Sequence, residues 1–306
     1  MLYFTKFPSL ALKLHWFAIF FTAMVMWSCR EPVQNEFADF APAPTLNSFL
    51  VADSLIKVHV SLAGKMDTLP LTVVDQATVA CYVNDSMAGD LTSTGNGYYA
   101  GALRGKAGNI YRFRVSIPGF PEMTATDTIP MQVPLTSIEH INEAGIDEEG
   151  HTFPAIRIIF PVDPDHVQFF QVAIRINDWK NNWRLAYFKD FSDTVMLAEG
   201  LPIAVFSSSL IKEKSYTLKL DYTIGSYTTI NEIERVNLYP LIVEFKTISY
   251  QYYQYLRQLY LYESGRYPDF SFGPLHNFPL YSNVSNGMGI VAGYSVFKSA
   301  IITPEP

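Results

Sequence analysis

The sequence predicts a mainly β protein, in which an N-terminal β-sandwich of Ig-like or prealbumin-like type precedes a second antiparallel β domain with one C-terminal α-helix. Three observations predict this class. Apolar and polar residues alternate with a period of two in many short segments, which is typical of half-buried strands. Turn residues such as Asn-Gly and Pro-Gly separate these segments, as in β-sandwiches. Only residues 249–264 show the period of an amphipathic helix.

Residues 1–28 have the pattern of a secretory signal peptide. An apolar run extends from Trp16 to Met26, and Lys6 and Lys13 precede it. This run is short for a membrane-spanning helix, which needs about 20 apolar residues. A plain transmembrane anchor is therefore the weaker interpretation, and an uncleaved or conventionally cleaved signal stays open as an alternative to lipidation.

Cys29 directly follows this leader, and the run Met26-Trp27-Ser28-Cys29 resembles a loose bacterial lipobox. The pattern predicts that Cys29 becomes the lipid-modified first residue of the mature chain. Two or three acyl chains hold a protein on a bilayer almost permanently. Arg30 follows in place of an aspartate, which favours the outer membrane over the inner one. The sequence leaves open whether the protein faces the periplasm or the cell surface.

Charge and cysteine content exclude several classes of protein. The net charge is −7, and loss of the two lysines of the leader changes it from −7 to −9. An acidic protein is repelled by nucleic acid, so binding to DNA or RNA is not expected. Once Cys29 is acylated, Cys81 is the one remaining thiol, which excludes disulfides and cysteine-ligated metals. Cys81 lies in an apolar segment, and we expect it to be a small buried side chain.

The N-terminal half is predicted to consist of a spacer and a sandwich. Residues 29–48 hold several prolines and are expected to form a flexible spacer, because proline fixes φ and removes a backbone donor. The sandwich covers residues 49–132. Its predicted strands are 55–62, 78–83, 98–100 and 110–117, and its predicted turns are 84–90 and Asn96-Gly97.

The second β domain is predicted to cover residues 133–306, after a boundary near Pro130–Pro134. An acidic segment, 143–150, is expected to be a solvated hairpin tip. The predicted strands that follow are 155–160, 170–176, 185–188, 216–222, 241–246 and a last strand at 289–297.

The predicted helix spans residues 249–264. Ser249 is suited to the N-cap, because its side-chain oxygen can accept from an orphan amide of the first turn. Two neighbouring apolar stripes follow the helical period, and Gly265 then ends the helix. The stripes consist of Tyr252, Tyr255, Leu259 and Tyr262, and of Tyr253, Leu256 and Tyr260.

By these segments the chain resembles a Bacteroidota outer-membrane lipoprotein family, domain of unknown function 4249. The resemblance in the N-terminal half lies in residues 75–79, 97–99 and 108–115. In the C-terminal half it lies in residues 248–257, which look like the family helix, and in 283–294, which look like its closing strand. The prolines that usually precede the closing strand are reduced here to Pro274 and Pro279. The matching motifs are structural, and none is catalytic.

The resemblance implies a companion of a TonB-dependent receptor of the outer membrane, with a role in nutrient capture. This implication rests on fold and context and not on chemistry. We therefore expect a non-enzymatic accessory lipoprotein. Two alternatives stay open: a surface interaction or adhesion module without a transport role, and a hydrolase with an unrecognised site.

No catalytic, metal or cofactor motif is evident. The sequence lacks G-x-S-x-G, H-E-x-x-H and a glycine-rich phosphate loop. Asp163, Asp165 and His166 are potential ligands of a divalent ion, but their spacing fits no EF-hand or zinc pattern. We expect a solvated turn in which Asp163 caps backbone amides.

Exposed aromatic side chains are the best binding candidates. Aromatic rings beside Gly and Pro can stack on sugars or contact a peptide or receptor loop. Burial between helix and sheet is the competing outcome, since that packing needs large side chains. The candidates are Trp179 and Trp183 at a hairpin turn, and Tyr267, Phe270, Phe272, Phe278 and Tyr281 in the segment after the helix.

Overall fold

The computed structural model describes residues 41–64, 72–230, 233–265 and 278–304. The strands of the N-terminal half are bounded by alternating residues and short turns. They are β1 (Ala43–Val51), β2 (Leu55–Ala63), β3 (Thr72–Val73), β4 (Thr78–Val83), β5 (Ser86–Gly95), β6 (Tyr98–Arg104), β7 (Ile110–Ser116) and β8 (Met123–Thr128).

The C-terminal half adds further strands and two helices. The strands are β9 (Ser137–Ile146), β10 (Thr152–Pro161), β11 (Phe169–Asn177), β12 (Trp183–Leu185), β13 (Tyr187–Phe188), β14 (Val205–Ser207), β15 (Ser215–Thr223), β16 (Tyr227–Ile230), β17 (Ile233–Val236), β18 (Leu241–Ile248) and β19 (Met288–Lys298). The helices are α1 (Thr194–Glu199) and α2 (Tyr250–Gly265).

One large sheet runs through both halves of the described chain. Its main path is β12-β11-β18-β19-β1-β2-β6-β5-β4-β7-β8, while β14 pairs with β11 and β3 pairs with β2. Strand β19 lies between β18 and β1, antiparallel to the former and parallel to the latter. The parallel register places Thr45 opposite Met288. The last strand therefore connects the N-terminal strands to the C-terminal ones.

The buried side chains form two main cores within one compact unit, Ala41–Pro306. The first core lies among β1, β2, β4, β7 and β8, and it also takes Val284 and Val291 from the C-terminal end. The second core lies between the inner faces of β11 and β18 and a separate sheet of order β13-β15-β10-β9. The large sheet contains strands from both sides of the predicted boundary at residues 132 and 133, and the division into two domains there stays a prediction.

The mainly β, sandwich-like class is confirmed, with local differences in the N-terminal half. Strand β1 begins at Ala43, so the end of the segment expected to be a spacer is a strand. Buried Leu46 explains this, because its side chain belongs to the first core. The predicted turn at 84–90 is only the pair Asn84-Asp85, and Ser86 already begins β5. Gly89 sits beside a register shift in the β4–β5 ladder, which accommodates it within a strand.

The predicted hairpin turn Asn96-Gly97 is confirmed between β5 and β6. Both residues have positive φ, 55° and 75°, as a two-residue hairpin turn requires. A Cβ at Gly97 would lie 2.5 Å from the backbone oxygen of Val60, so only glycine fits.

The predicted C-terminal helix is confirmed as α2, one residue later than expected. Ser249 is its N-cap: the Ser249 Oγ accepts from the amide of Tyr252 at 3.1 Å. The short helix α1 was not predicted. Asp193 caps it by accepting from the amide of Val195, and Gly200 ends it with φ of 68°.

Candidate functional site

An apolar cleft of about 490 Å³ lies between strand β11 and helix α2. Ligand sites of proteins typically measure about 300–1,000 Å³ and are lined mainly by apolar side chains. The cleft is lined by residues 171–174, 185–188, 191 and 202–205, and by Leu256, Leu259, Tyr260 and Glu263 of α2. In size and lining it has the properties of a small-molecule site.

The cleft exists because two short strands share one edge of β11. Strand β12 pairs with β11 at Arg175–Asn177, and β14 pairs with it at Phe169–Gln171. Between these two ladders, single hydrogen bonds join the neighbouring segments to β11: Ala186 N donates to Ile174 O, and Val172 N donates to Ala204 O. The small side chain of Ala173 lies in this gap and leaves space above it.

Helix α2 covers the gap. Its lining residues Leu256, Leu259, Tyr260 and Glu263 have the spacing i, i+3, i+4 and i+7, and therefore share one face. The first turns of the helix are fixed to the sheet, because Tyr252 and Tyr253 are buried and Tyr253 packs on the ring of Phe169 with centroids 4.7 Å apart. The second half of α2 is thereby held above β11.

Charged residues adjoin the cleft on the same face of the sheet. In the β11–β18 ladder Gln171 faces Lys246 and Ala173 faces Glu244, so two cleft-lining residues have charged cross-strand partners. The Lys246 Nζ donates to the side-chain oxygen of Gln171 at 3.0 Å and lies 5.2 Å from the ring centroid of Tyr294. Apolar and cationic surfaces therefore meet at Gln171.

Glu244 is paired twice. Its Oε1 lies 3.0 Å from Arg175 Nε and 3.0 Å from Lys298 Nζ. Burial opposes ionisation of this carboxyl, but the two cations outweigh burial and hold its pKa below the ordinary value. Burial lowers the pKa of the Lys246 ammonium. The attraction of Glu244 raises this pKa, while repulsion by Arg175 and Lys298 lowers it.

A second, polar pocket of about 290 Å³ lies beside the start of α2. Its centre is the buried carboxylate of Glu199, which accepts from the hydroxyl of Tyr253, the guanidinium of Arg257 and the amide of Ser207 at 2.7 Å. Burial, followed by the hydrogen bond to Glu199, raises the pKa of Tyr253. These contacts fix α1 and β14 to α2 and so hold one wall of the cleft.

The predicted aromatic candidates lie in different environments. Trp179 is 72% exposed at the β11–β12 turn, with Lys180 Nζ 4.7 Å from its ring centroid. Trp183 is 41% exposed and lies on β12 two residues from cleft-lining Leu185, hence on the same face. The structure does not bring these two tryptophans into the cleft lining.

The aromatic segment after α2 falls only partly within the described chain. Phe278 is partly buried, and Tyr281 packs against α2 and donates its hydroxyl proton to the side chain of Gln251. Tyr267, Phe270 and Phe272 lie outside the described residues, as does Cys29.

Two clusters contain potential metal ligands. Asp147, Glu149 and His151 at the β9–β10 turn place ligand atoms within 4.8 Å of one another. Lys189, however, forms an ion pair with Asp147 there, so this carboxylate already has a cationic partner. The segment 143–150, expected to be a solvated hairpin tip, is in fact strand β9 as far as Ile146. It then turns at Asp147, whose carboxylate accepts from the amides of Glu149 and His151.

The predicted turn at Asp163 has the expected form. Asp163 Oδ1 accepts from the amide of Asp165 at 3.0 Å, and Oδ2 lies 2.8 Å from His166 Nδ1. The hydrogen bond with His166, followed by that from Asp165, lowers the pKa of Asp163. This is an Asx-type turn.

Sequence reasoning did not find the cleft or the carboxylates of Glu199 and Glu244. Their partners are distant in sequence: Arg257 is 58 residues from Glu199, and Arg175 is 69 residues from Glu244. The only local signal was the apolar stripe of α2, which predicted a buried face but not what it covers.

Within the described ranges, neither helix has the length and apolar character needed to cross a bilayer. The fold and the cleft define the class: a mainly β sandwich protein with a ligand-sized apolar cleft beneath a C-terminal helix. Residues 30–300 match the family described as Domain of unknown function (DUF4249), and the chain belongs to this family. The expected family is thereby confirmed, while its assignment to lipoproteins of Bacteroidota stays a prediction.

No curated protein matches the chain. Among solved structures, one described as the structure of a beta-glucuronidase from glycoside hydrolase family 2 is similar at 12% identity and a TM-score of 0.23. The match covers 88% of this chain and 23% of that chain, so this chain spans about a quarter of its length. A likeness at this TM-score carries no argument about activity.

Proposed function

We propose that the protein is a non-enzymatic accessory lipoprotein, anchored in the outer membrane through Cys29, that works with a TonB-dependent receptor in nutrient binding or uptake. The observation that supports a binding role is the cleft between β11 and α2, whose volume and apolar lining suit a small ligand. The anchor is supported by the leader and by Met26-Trp27-Ser28-Cys29. The receptor is inferred from the family resemblance alone.

The anchor is tested by mass spectrometry of the protein made in a bacterial host. We expect a mature chain that begins at an acylated Cys29, and we expect Cys29→Ser to leave the membrane fraction. Cys81→Ser is the matched control, because its side chain is buried and it should not affect membrane attachment. An unacylated N-terminus in the wild type would contradict the proposed location.

The receptor is tested by affinity purification from outer membranes solubilised in mild detergent. A TonB-dependent receptor should be recovered with the wild-type protein in near-equal amounts. Recovery of the protein alone, under conditions that preserve other receptor complexes, would contradict the proposed partnership.

A second candidate, a surface interaction module without transport role, is favoured by Trp179. Its indole is 72% exposed at a hairpin tip, the most exposed large apolar side chain of the described ranges, and an exposed tryptophan is suited to anchoring a protein contact. Trp179→Ala separates the two functions, with Tyr98→Ala, an exposed aromatic outside the cleft lining, as control. Loss of cell-surface adhesion with unchanged receptor recovery would favour the interaction module over the receptor companion.

A further inference from the structure

An ammonium group, that of Lys246, lies next to the cleft without an ion pair of its own among the described residues. Lys246 is partly buried, and among the described residues its Nζ makes no ion pair; its hydrogen-bond partner is the neutral amide of Gln171. Gln171 lines the cleft. We infer that the cleft binds a single-chain amphipathic carboxylate, with its chain beneath α2 and its acid group on Lys246 in place of the Gln171 amide. This inference rests on the proposed binding role and names the ligand class.

The first support is the charge balance beside Gln171. Three cations, Arg175, Lys246 and Lys298, surround the single carboxylate of Glu244. Arg175 and Lys298 both pair with Glu244, whose attraction also reaches Lys246, so one carboxylate faces three cations and Lys246 has no ion pair of its own among the described residues. A buried or half-buried charge is stable when it is paired, so a bound anion would complete this arrangement. The local excess of positive charge contrasts with a chain whose net charge is −7.

The second support is the register of the sheet. Gln171 lies directly opposite Lys246 on the outward face, and Ala173 follows two residues along β11 on that same face. An acid group bound to Lys246 would therefore lie about the length of one side chain from Ala173, which forms the apolar floor of the cleft. The chain of the ligand could continue over Ala173 toward Leu185, which lines the cleft opposite Arg175.

The third support is the position of Glu263, whose carboxylate belongs to the cleft lining. Glu263 is ten residues beyond Tyr253, which packs on Phe169, so it lies about 15 Å further along the helix axis. Glu263 and the C-terminal end of the helix dipole both disfavour an acid group at that end. They favour an orientation in which the acid group lies toward Gln171 and Lys246.

The remaining lining is suited to an alkyl chain. Ala173, Leu185, Ile203, Leu256 and Leu259 contribute aliphatic surface, and aromatic rings complete it. Each methylene buried in such surroundings should tighten binding roughly fourfold. A homologous series of carboxylates should show this increase until the chain fills the cleft.

The test uses the full chain in phosphatidylcholine nanodiscs, with empty nanodiscs subtracted, and equilibrium dialysis of radiolabelled decanoate, 1-decanol and decyltrimethylammonium at pH 8. These probes share the chain and differ in the head group. We expect decanoate to bind at least tenfold more tightly than decanol, and the ammonium to bind weakest. Equal binding of the three probes would overturn the inference.

Variants separate the head group from the chain. Lys246→Met should weaken decanoate about tenfold or more and leave decanol unchanged, since a charge-assisted hydrogen bond is lost while the apolar surface is kept. Lys246→Glu should reverse the preference toward the ammonium, a gain that misfolding cannot produce. Ala173→Trp should abolish binding of all three, and Lys57→Met, at an exposed position of β2, is the matched control. Unchanged decanoate binding by Lys246→Met would overturn the inference.

The ligand class and the proposed function fail separately. If no probe binds while a TonB-dependent receptor is recovered with the wild-type protein, the ligand class is wrong and the accessory role stands. If decanoate binds through Lys246 and no receptor is recovered, the ligand class stands and the receptor partnership is wrong.

Discussion

The hydroxyl of Ser249 donates a hydrogen bond to the carboxylate of Asp127, and this contact joins the start of helix α2 to strand β8. The same carboxylate oxygen accepts from the amide of Gly293 in β19 at 2.6 Å. A Cβ at Gly293 would lie 2.1 Å from the backbone oxygen of Thr128, so a glycine is required for this approach. One buried carboxylate therefore connects three elements from distant parts of the chain.

Asp127 should make stability depend on pH. Burial raises its pKa to about 6, against the hydrogen bonds from Ser249, Thr128 and Gly293, which lower it. A carboxyl with a raised pKa favours the folded state most when protonated, so its contribution is present below about pH 4 and is lost as pH rises through 6. We expect the unfolding free energy of the wild type, relative to Asp127→Asn, to fall by about 2 kcal/mol between pH 4 and 7.

Urea unfolding at several pH values checks this expectation, with the exposed Asp90→Asn as control. Parallel stability curves for the wild type and Asp127→Asn would show that Asp127 titrates normally.

Ser249→Ala should destabilise the protein by about 1–2 kcal/mol, because it removes the N-cap of α2 and one donor to Asp127. It should also raise the pKa of Asp127, since a hydrogen bond to the charged form is lost. The measurement is urea unfolding at pH 5 and pH 7, with exposed Ser137→Ala as control. A loss no larger than that of the control would mean that Ser249 does not cap the helix in solution.

Asp147 should show the opposite dependence on pH. Its hydrogen bond with Lys189 is the main cause that lowers its pKa to about 2, and burial opposes the shift. A carboxyl with a lowered pKa stabilises the fold above its unfolded pKa, and this contribution is lost as pH falls toward 2. We expect Asp147→Asn to lower the melting temperature at pH 7 and to flatten its decline between pH 4 and 2. If the wild type and the variant lose stability equally on acidification, the pair contributes nothing.

The ion pair between Glu199 and Arg257 should be stabilising only as a pair. Glu199→Gln should cost about 3 kcal/mol, because it leaves the half-buried guanidinium of Arg257 and the hydroxyl of Tyr253 without their charged acceptor. Combining it with Arg257→Met should cost less than the sum of the two single changes by about 1 kcal/mol or more. Additive losses in chemical unfolding would contradict this coupling. Arg157→Met, in the exposed pair with Glu139, is the control and should cost under about 1 kcal/mol.

Cys81 should be unreactive in the folded protein. Burial raises the pKa of its thiol to about 11, so only about one molecule in a thousand carries the thiolate at pH 8. In a Cys29→Ser background, we expect iodoacetamide to label Cys81 only under unfolding conditions. Labelling of the native protein at the rate of a free thiol would indicate that β4 opens readily.

The elements with clean alternation were predictable. The segment 78–83 is strand β4 as expected, and Asn96-Gly97 identified the hairpin of β5 and β6, because both signals are local. Strand β8 was not predicted: Met123–Thr128 alternates apolar residues with threonines and one aspartate, a weak hydrophobic signal. Asp127 was missed with it, since nothing near residue 127 indicates that its partners are Ser249 and Gly293.

The cleft could not be predicted because it depends on which strands pair with β11 and in which register. It requires Ala173 at the gap between β12 and β14, and α2 above that gap. The sequence predicted strand β11 and helix α2 as separate elements, but periodicity does not specify which neighbours they share. The excess of positive charge around Lys246 likewise depends on the order in which β11, β18 and β19 pair.

The position of β19 has a consequence for how the chain acquires its structure. This eleven-residue strand is the last one described, and it fills the place between β18 and β1. A chain that stops after α2 would leave β1 and β18 each with an unpaired edge, and such edges recruit strands from other molecules. The large sheet can therefore close only after β19 has been synthesised, and a chain truncated after α2 should yield insoluble aggregates rather than a shorter soluble domain.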